Sequence, residues 1–151
     1  MPTITPFLWF DTQAEDAMNF YASIFKRSKI VSVNRFQGKV QAVEFELEGQ
    51  AFKAMNAGPQ FQFTEAVSFF VACDTQQEID DLWAKLTADG GAPSRCGWLK
   101  DKFGLSWQII PSNLVRMLHS SDPAQASRVM NAMLQMSKLD VAQLQAACDG
   151  K

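Results

Sequence analysis

One histidine, His119, and three cysteines, Cys73, Cys96 and Cys148, are all the imidazole and thiol that the 151 residues contain. With the cysteines so few and so far apart, neither a zinc cluster nor a disulfide framework is expected, and the thiols should be reduced. Long apolar runs are missing too: none approaches the roughly 20 residues of a membrane span, and the start MPTITPFLWF has no basic segment of the kind that opens a signal peptide. Together these absences predict a cytoplasmic protein with no membrane partner. Positive charge is not in excess, since 14 Lys and Arg face 16 Asp and Glu for a net charge of -2. That balance excludes the clustered basic face that nucleic acid requires. The one basic cluster, Lys26, Arg27 and Lys29, falls near the expected end of a helix, where cations favour the helix dipole. Of the eight glycines only Gly90 and Gly91 are adjacent, so no glycine-rich loop follows a strand to cradle a nucleotide-type cofactor.

What the chain does have is apolar content, 47% of its residues, enough for one well-buried core. Its pattern repeats. Ile4 to Phe10 is a run of β-formers that stops at Asp11-Thr12-Gln13-Ala14-Glu15, after which Ala17, Phe20, Tyr21, Ile24 and Phe25 recur at helical spacing. Val67 to Cys73 is a second such run, followed by Asp74-Thr75-Gln76-Gln77-Glu78 and then Ile79, Leu82, Trp83 and Leu86. Asp, Thr, Gln and Glu recur at a constant offset of 63, with Phe7 matched by Phe70 and Phe20 by Trp83. Thr12 with Glu15 has the spacing of a capping box, and so does Thr75 with Glu78. Convergent polar caps would explain Thr and Glu but not the shared Asp, Gln and aromatics, so the repeat reads as an internal duplication.

Each half continues in strands. In the first, Ile30 to Phe36, Val40 to Leu47 and Gln50 to Met55 are broken by Gly38 and by Glu48-Gly49. In the second, Gly90-Gly91 should end the helix, with short strands near Pro93 to Arg95, Gly97 to Lys100 and Leu105 to Ile110. The expected fold is therefore α+β: two βαβββ modules, residues 3–56 and 66–111, in one domain 1–111. Residues 112–151 form a helical extension. There Asp122-Pro123 and Asp140 read as helix starts, with Leu139 and Leu144 placed for a hydrophobic staple. Met130, Met133 and Met136 suit packing against the chain's own sheet or a homodimer mate, or a pliable partner surface.

The duplicated module, the run AEDAMNFY at 14–21, the run CGWLKDKFGLSWQIIP at 96–111 and the tail SRVMNAMLQMSKLDVAQL resemble the PhnB-like group of the vicinal oxygen chelate superfamily. Glyoxalase I, extradiol dioxygenases and bleomycin resistance proteins share that fold. The group also carries the label 3-demethylubiquinone-9 3-methyltransferase. The resemblance implies that the modules curve into a cleft, where metal-dependent members hold a His or Gln on the first strand of each module and a Glu on the last. Here those positions fall at Thr5 and Ser68 and at Lys53 and Gln108. Two hydroxyls, an ammonium and an amide offer a transition metal no anionic ligand and no imidazole, so no metal and no cofactor are expected.

What remains is binding of a small molecule, partly aromatic or anionic, in that cleft. Trp9, Phe52, Trp98 and Trp107 are candidate walls, and Arg35, Lys53, Lys100 and Gln108 candidate orienting groups. The two tryptophans of the second run serve equally well as core, and Lys100 with Lys102 as a solvated pair. Cys96, beside Arg95, lacks a neighbouring base and reads as structural, as does Cys73 within its strand; His119 reads as a residue near a helix end. Two other functions stay open. One is an enzyme: a methyltransferase using S-adenosylmethionine on a ubiquinone-type substrate, or a lyase, isomerase or dioxygenase with a divalent metal held by other residues. The other is a structural protein whose dimer surface is its function.

Overall fold

The computed structural model describes all 151 residues, which divide into two compact units, Met1–Gln62 and Phe63–Lys151. The first runs β1 (Phe7–Phe10), α1 (Ala14–Ile24), β2 (Ser28–Phe36), β3 (Lys39–Leu47) and β4 (Gln50–Asn56). Its sheet has the order β1-β4-β3-β2, with β1 parallel to β4 and the other pairs antiparallel. Two tight hairpins set the register. Phe36 pairs with Lys39 and Leu47 with Gln50, leaving Gln37-Gly38 and Glu48-Gly49 as two-residue loops. All four of these residues have positive φ, which matches the right-handed twist of the flanking strands.

Strand alternation then sorts the side chains. Leu8, Phe10, Val43, Phe45, Leu47, Phe52 and Ala54 are buried, and α1 meets them with Ala14, Ala17, Met18, Tyr21 and Ile24. Phe45 stacks on Phe52 with ring centroids 5.4 Å apart.

The second unit repeats the order with β5 (Ser68–Cys73), α2 (Gln76–Thr87), β6 (Ala92–Pro93), β7 (Trp98–Lys100) and β8 (Ser106–Pro111), in a sheet of order β5-β8-β7-β6. Both modules are therefore βαβββ, as the offset of 63 predicts. Phe7 lies across from Lys53 and Phe70 across from Gln108, so the repeat holds at single-residue register.

The tail forms α3 (Leu114–Leu118), α4 (Pro123–Leu134) and α5 (Val141–Cys148), and it is part of the second unit. Asp122 caps α4 through the Ala124 amide and Asp140 caps α5 through the Gln143 amide. Leu114, Met117, Val129, Leu139, Leu144 and Cys148 close over Ile110 at the end of β8. The chain between α4 and α5 is hydrogen-bonded to the module: Cys96 N–H donates to Met136 O and Gly97 N–H to Ser137 O, at 2.9 and 2.8 Å. The Gln76 side chain bonds Leu139 O and the Val141 amide, and Lys138 pairs with Asp80 at 2.7 Å. Gly97 has φ +84°, and a Cβ there would stand 2.9 Å from Ile110 Cδ1 and 3.1 Å from Leu139 Cδ1. Only glycine allows this close approach.

Four local expectations need correction. The first strand begins at Phe7 rather than Ile4: the Pro6 carbonyl still accepts from the Lys53 amide, but proline has no N–H to carry the ladder further back. The threonine half of the capping box forms in the second module, where Thr75 Oγ1 accepts from the Glu78 amide and the Glu78 carboxylate accepts from the Thr75 hydroxyl. In the first, α1 begins after Gln13, which makes no side-chain cap; Asn56, at the end of β4, accepts from the Ala14 amide at 2.8 Å instead. The basic residues Lys26, Arg27 and Lys29 lie beyond the end of α1 at Ile24, and Arg27 clasps Glu48 at 2.9 Å rather than a helix terminus. Finally, α2 ends at Thr87, three residues before Gly90. Of the methionine stripe, Met133 and Met136 pack on the tail's own core while Met130 is exposed. No helix is long and apolar enough to cross a membrane.

Candidate ligand-binding faces

Each sheet has one face packed on its helix, and the pleat turns the alternate residues the other way. In the first unit the row Phe7, Lys53, Glu44 crosses three strands, and the next row is Trp9, Met55, Ala42. Phe7 is exposed. The Lys53 ammonium meets Glu44 at 3.3 Å. Trp9 packs edge-on against Phe61, at 4.8 Å, and its indole N–H donates to Gly58 O, which fixes the ring.

In the second unit the corresponding rows are Phe70, Gln108, Trp98 and Ser68, Ser106, Lys100. The Gln108 amide donates to Ser68 Oγ at 2.9 Å, which confirms that the two share a face. The Lys100 ammonium pairs with Glu65, just before β5. That partner holds the Glu65 carboxyl below the usual carboxylate range, mainly through its hydrogen bond. Ser106 is buried, and its hydroxyl has no hydrogen-bond partner. A buried polar group without a partner is uncommon and costs stability.

The sequence candidates thus separate. Ser68, Trp98, Lys100 and Gln108 come together on the face of the second sheet turned away from α2, whose far end at Ile110 is covered by the tail, while Lys53 and Trp9 lie on the face of the first turned away from α1. Trp107 does not join them. It is 3% exposed on the helix-covered face, and its indole donates to Asp101 at 2.9 Å. Phe52 is likewise core. Arg35 turns toward α1, where it binds Glu15 at 2.6 Å. Thr5 precedes the first strand and has no strand partner; Phe7 takes the place opposite Lys53. Ser106 and Glu65 carry no motif that marks them in the sequence. Ser106 is legible in retrospect, two residues before Gln108 and therefore on its face.

A metal finds no seat in these residues. Lys53 brings a paired ammonium, Gln108 turns its amide nitrogen toward Ser68, and no three His, Cys, Asp or Glu side chains gather anywhere. His119 is the C-cap of α3, in the tail. Burial pushes the Cys73 thiol up to about 11, with Glu78 and Asp74 adding to the effect, so it stays protonated and a poor nucleophile near neutral pH. Neither strand-to-helix turn, Asp11–Gln13 or Asp74–Thr75, contains glycine, so a cofactor seated on such a turn does not fit.

Residues 2–110 match a family model described as 3-demethylubiquinone-9 3-methyltransferase. Among solved structures, a PhnB protein from Bacillus cereus is similar at 39% identity and TM-score 0.68, over 73% of this chain and 99% of its own. Protein PA1353 from Pseudomonas aeruginosa, at 16% identity and TM-score 0.62, covers 74% of this chain and 98% of its own. A glyoxalase/bleomycin resistance protein from Albidiferax ferrireducens shares the fold at 13% identity and TM-score 0.50, over 70% of this chain and 93% of its own. No curated protein matches the chain.

Proposed function

Because the chain belongs to the 3-demethylubiquinone-9 3-methyltransferase family, the PhnB-like group with the glyoxalase/bleomycin resistance/dioxygenase fold, we propose that it is a cytoplasmic protein that binds a small molecule, without metal, on the sheet faces turned away from α1 and α2. The observation that carries this reading is the second sheet's polar row beside exposed Phe70 and half-buried Trp98. Sites for small molecules combine apolar walls with a few placed polar groups, and this face has both. The metal-free part is supported by the donor set, in which an ammonium and an amide stand where chelating relatives place acids.

Metal analysis of the purified protein should find no zinc, nickel or iron in stoichiometric amount; one tightly held ion per chain would end this part of the reading. An NMR screen of a mixed fragment library should move signals of Phe70, Trp98 and Gln108, and a library that moves none of them would end the rest. The family's description supports a second reading, methyl transfer, which calorimetry with S-adenosylmethionine tests. No heat at millimolar cofactor removes it. The chain is further read as a homodimer, supported by the exposed Met130 and Leu134 one turn apart on α4; a monomer mass in light scattering would remove that.

A further inference from the structure

We propose that Ser68, Ser106 and Lys100 bind the carboxylate of a small apolar acid, and that Glu65 is the chain's own carboxylate competing for that place. The inference rests on the binding reading above and adds the chemical class of the ligand.

Three strands carry the row. Ser68 on β5 lies across from Ser106 on β8, which lies across from Lys100 on β7. Side chains directly opposite on one face are about 5 Å apart at Cβ, so the middle residue is within reach of a group that touches either neighbour. All three can donate. Ser68 Oγ accepts from Gln108, which leaves its own proton to give. Ser106, 1% exposed, has a hydroxyl with no partner at all. Lys100 brings a formal charge, with its side chain 43% exposed. A carboxylate only accepts, through two oxygens, and it takes charge-assisted hydrogen bonds from such groups more strongly than a neutral amide does.

Glu65 shows which chemistry the ammonium takes, for its carboxylate is already on Lys100. It reaches there from the chain before β5, its side chain is 60% exposed, and it is not part of the sheet. A ligand acid can therefore replace it without disturbing a strand. Phe70, 53% exposed and across from Gln108, supplies an apolar wall beside the row. With one cation in the row, a singly charged acid is matched better than a dianion.

The test is calorimetry on the full chain with benzoate, its neutral analogue benzamide, and inorganic phosphate. Benzoate should bind and benzamide should not. E65Q, which removes the competitor, should tighten benzoate by up to about fivefold, the range of an exposed ion pair. S106A should weaken benzoate several-fold while raising the Tm, because deleting a buried hydroxyl with no partner relieves its desolvation cost; a purely structural serine would not move the two in opposite senses. Equal binding of benzoate and benzamide would overturn the proposal, as would an unchanged benzoate affinity in S106A or phosphate binding more tightly than benzoate. If neutral fragments perturb Phe70 and Trp98 while benzoate is silent, the carboxylate inference fails and the wider binding reading stands. If no compound of any charge perturbs them, both fail.

Discussion

Asp101 is 2% exposed, yet it carries a full set of partners: the amides of Phe103 and Leu105 at 2.9 and 3.0 Å on one oxygen and the Trp107 indole at 2.9 Å on the other. It thereby fixes the β7–β8 turn and anchors the core tryptophan. Replacing it with alanine leaves three donors, two of them buried, to find other acceptors, so D101A should cost about 3 kcal/mol of the second unit's stability, read from urea denaturation. The asparagine variant, which keeps an acceptor for the amides, should cost less. At this scale the sequence was only partly legible. Gln108 and Lys53 could be placed because the repeat aligns them. For Trp107 the sequence allows wall or core equally, and a partner six residues back, Asp101, makes it core. Ser106 is hard to single out because a serine inside an apolar run looks like strand interior, and only the pleat shows which way it turns.

At the scale of the element, the two modules start their helices differently although their sequences agree. Thr75 caps α2 locally, as the Thr-x-x-Glu spacing suggests. In the first module Asn56 takes that role: its oxygen accepts from the Ala14 amide, and its nitrogen donates to Val40 O at 3.2 Å. It ties the start of α1 to the edges of β3 and β4. N56A should therefore cost about 1–2 kcal/mol, the range for loss of a cap, whereas T12A should stay within about 0.5 kcal/mol. Thermal unfolding of the two variants side by side checks this, and a T12A loss as large as that of N56A would contradict it. The hairpins were the easier part. Gly38 and Gly49 mark loops whose two residues both need positive φ, and local turn chemistry of that kind is visible without tertiary context. A cap supplied from 42 residues away is not.

At the scale of the whole molecule, duplication and addition are distinct. The family match ends at residue 110, and the Bacillus cereus relative is covered almost completely by 73% of this chain. The tail lies beyond the family match, yet it is built into the second unit through Ile110, Gly97, Gln76 and Asp80. A chain ending at Pro111 would expose Ile110 and leave the amides of Cys96 and Gly97 without Met136 and Ser137. Such a truncation should lose hydrogen-exchange protection in β7 and β8 while β3 and β4 keep theirs; unchanged protection in β7 and β8 would show the tail to be dispensable.

The cap on α1 has a kinetic meaning as well. Helix α2 carries its start signal within its own first turn, so that turn can form as soon as its residues are available. The first amide of α1 waits for a side chain that reaches its place only when β4 pairs with β1, which sets Asn56 across from Phe10. Contacts between residues far apart in sequence form late, because the chain entropy of the intervening loop must be lost first. Two modules copied from one unit thus differ in the order in which they can assemble: the second from its helix outward, the first from its sheet back.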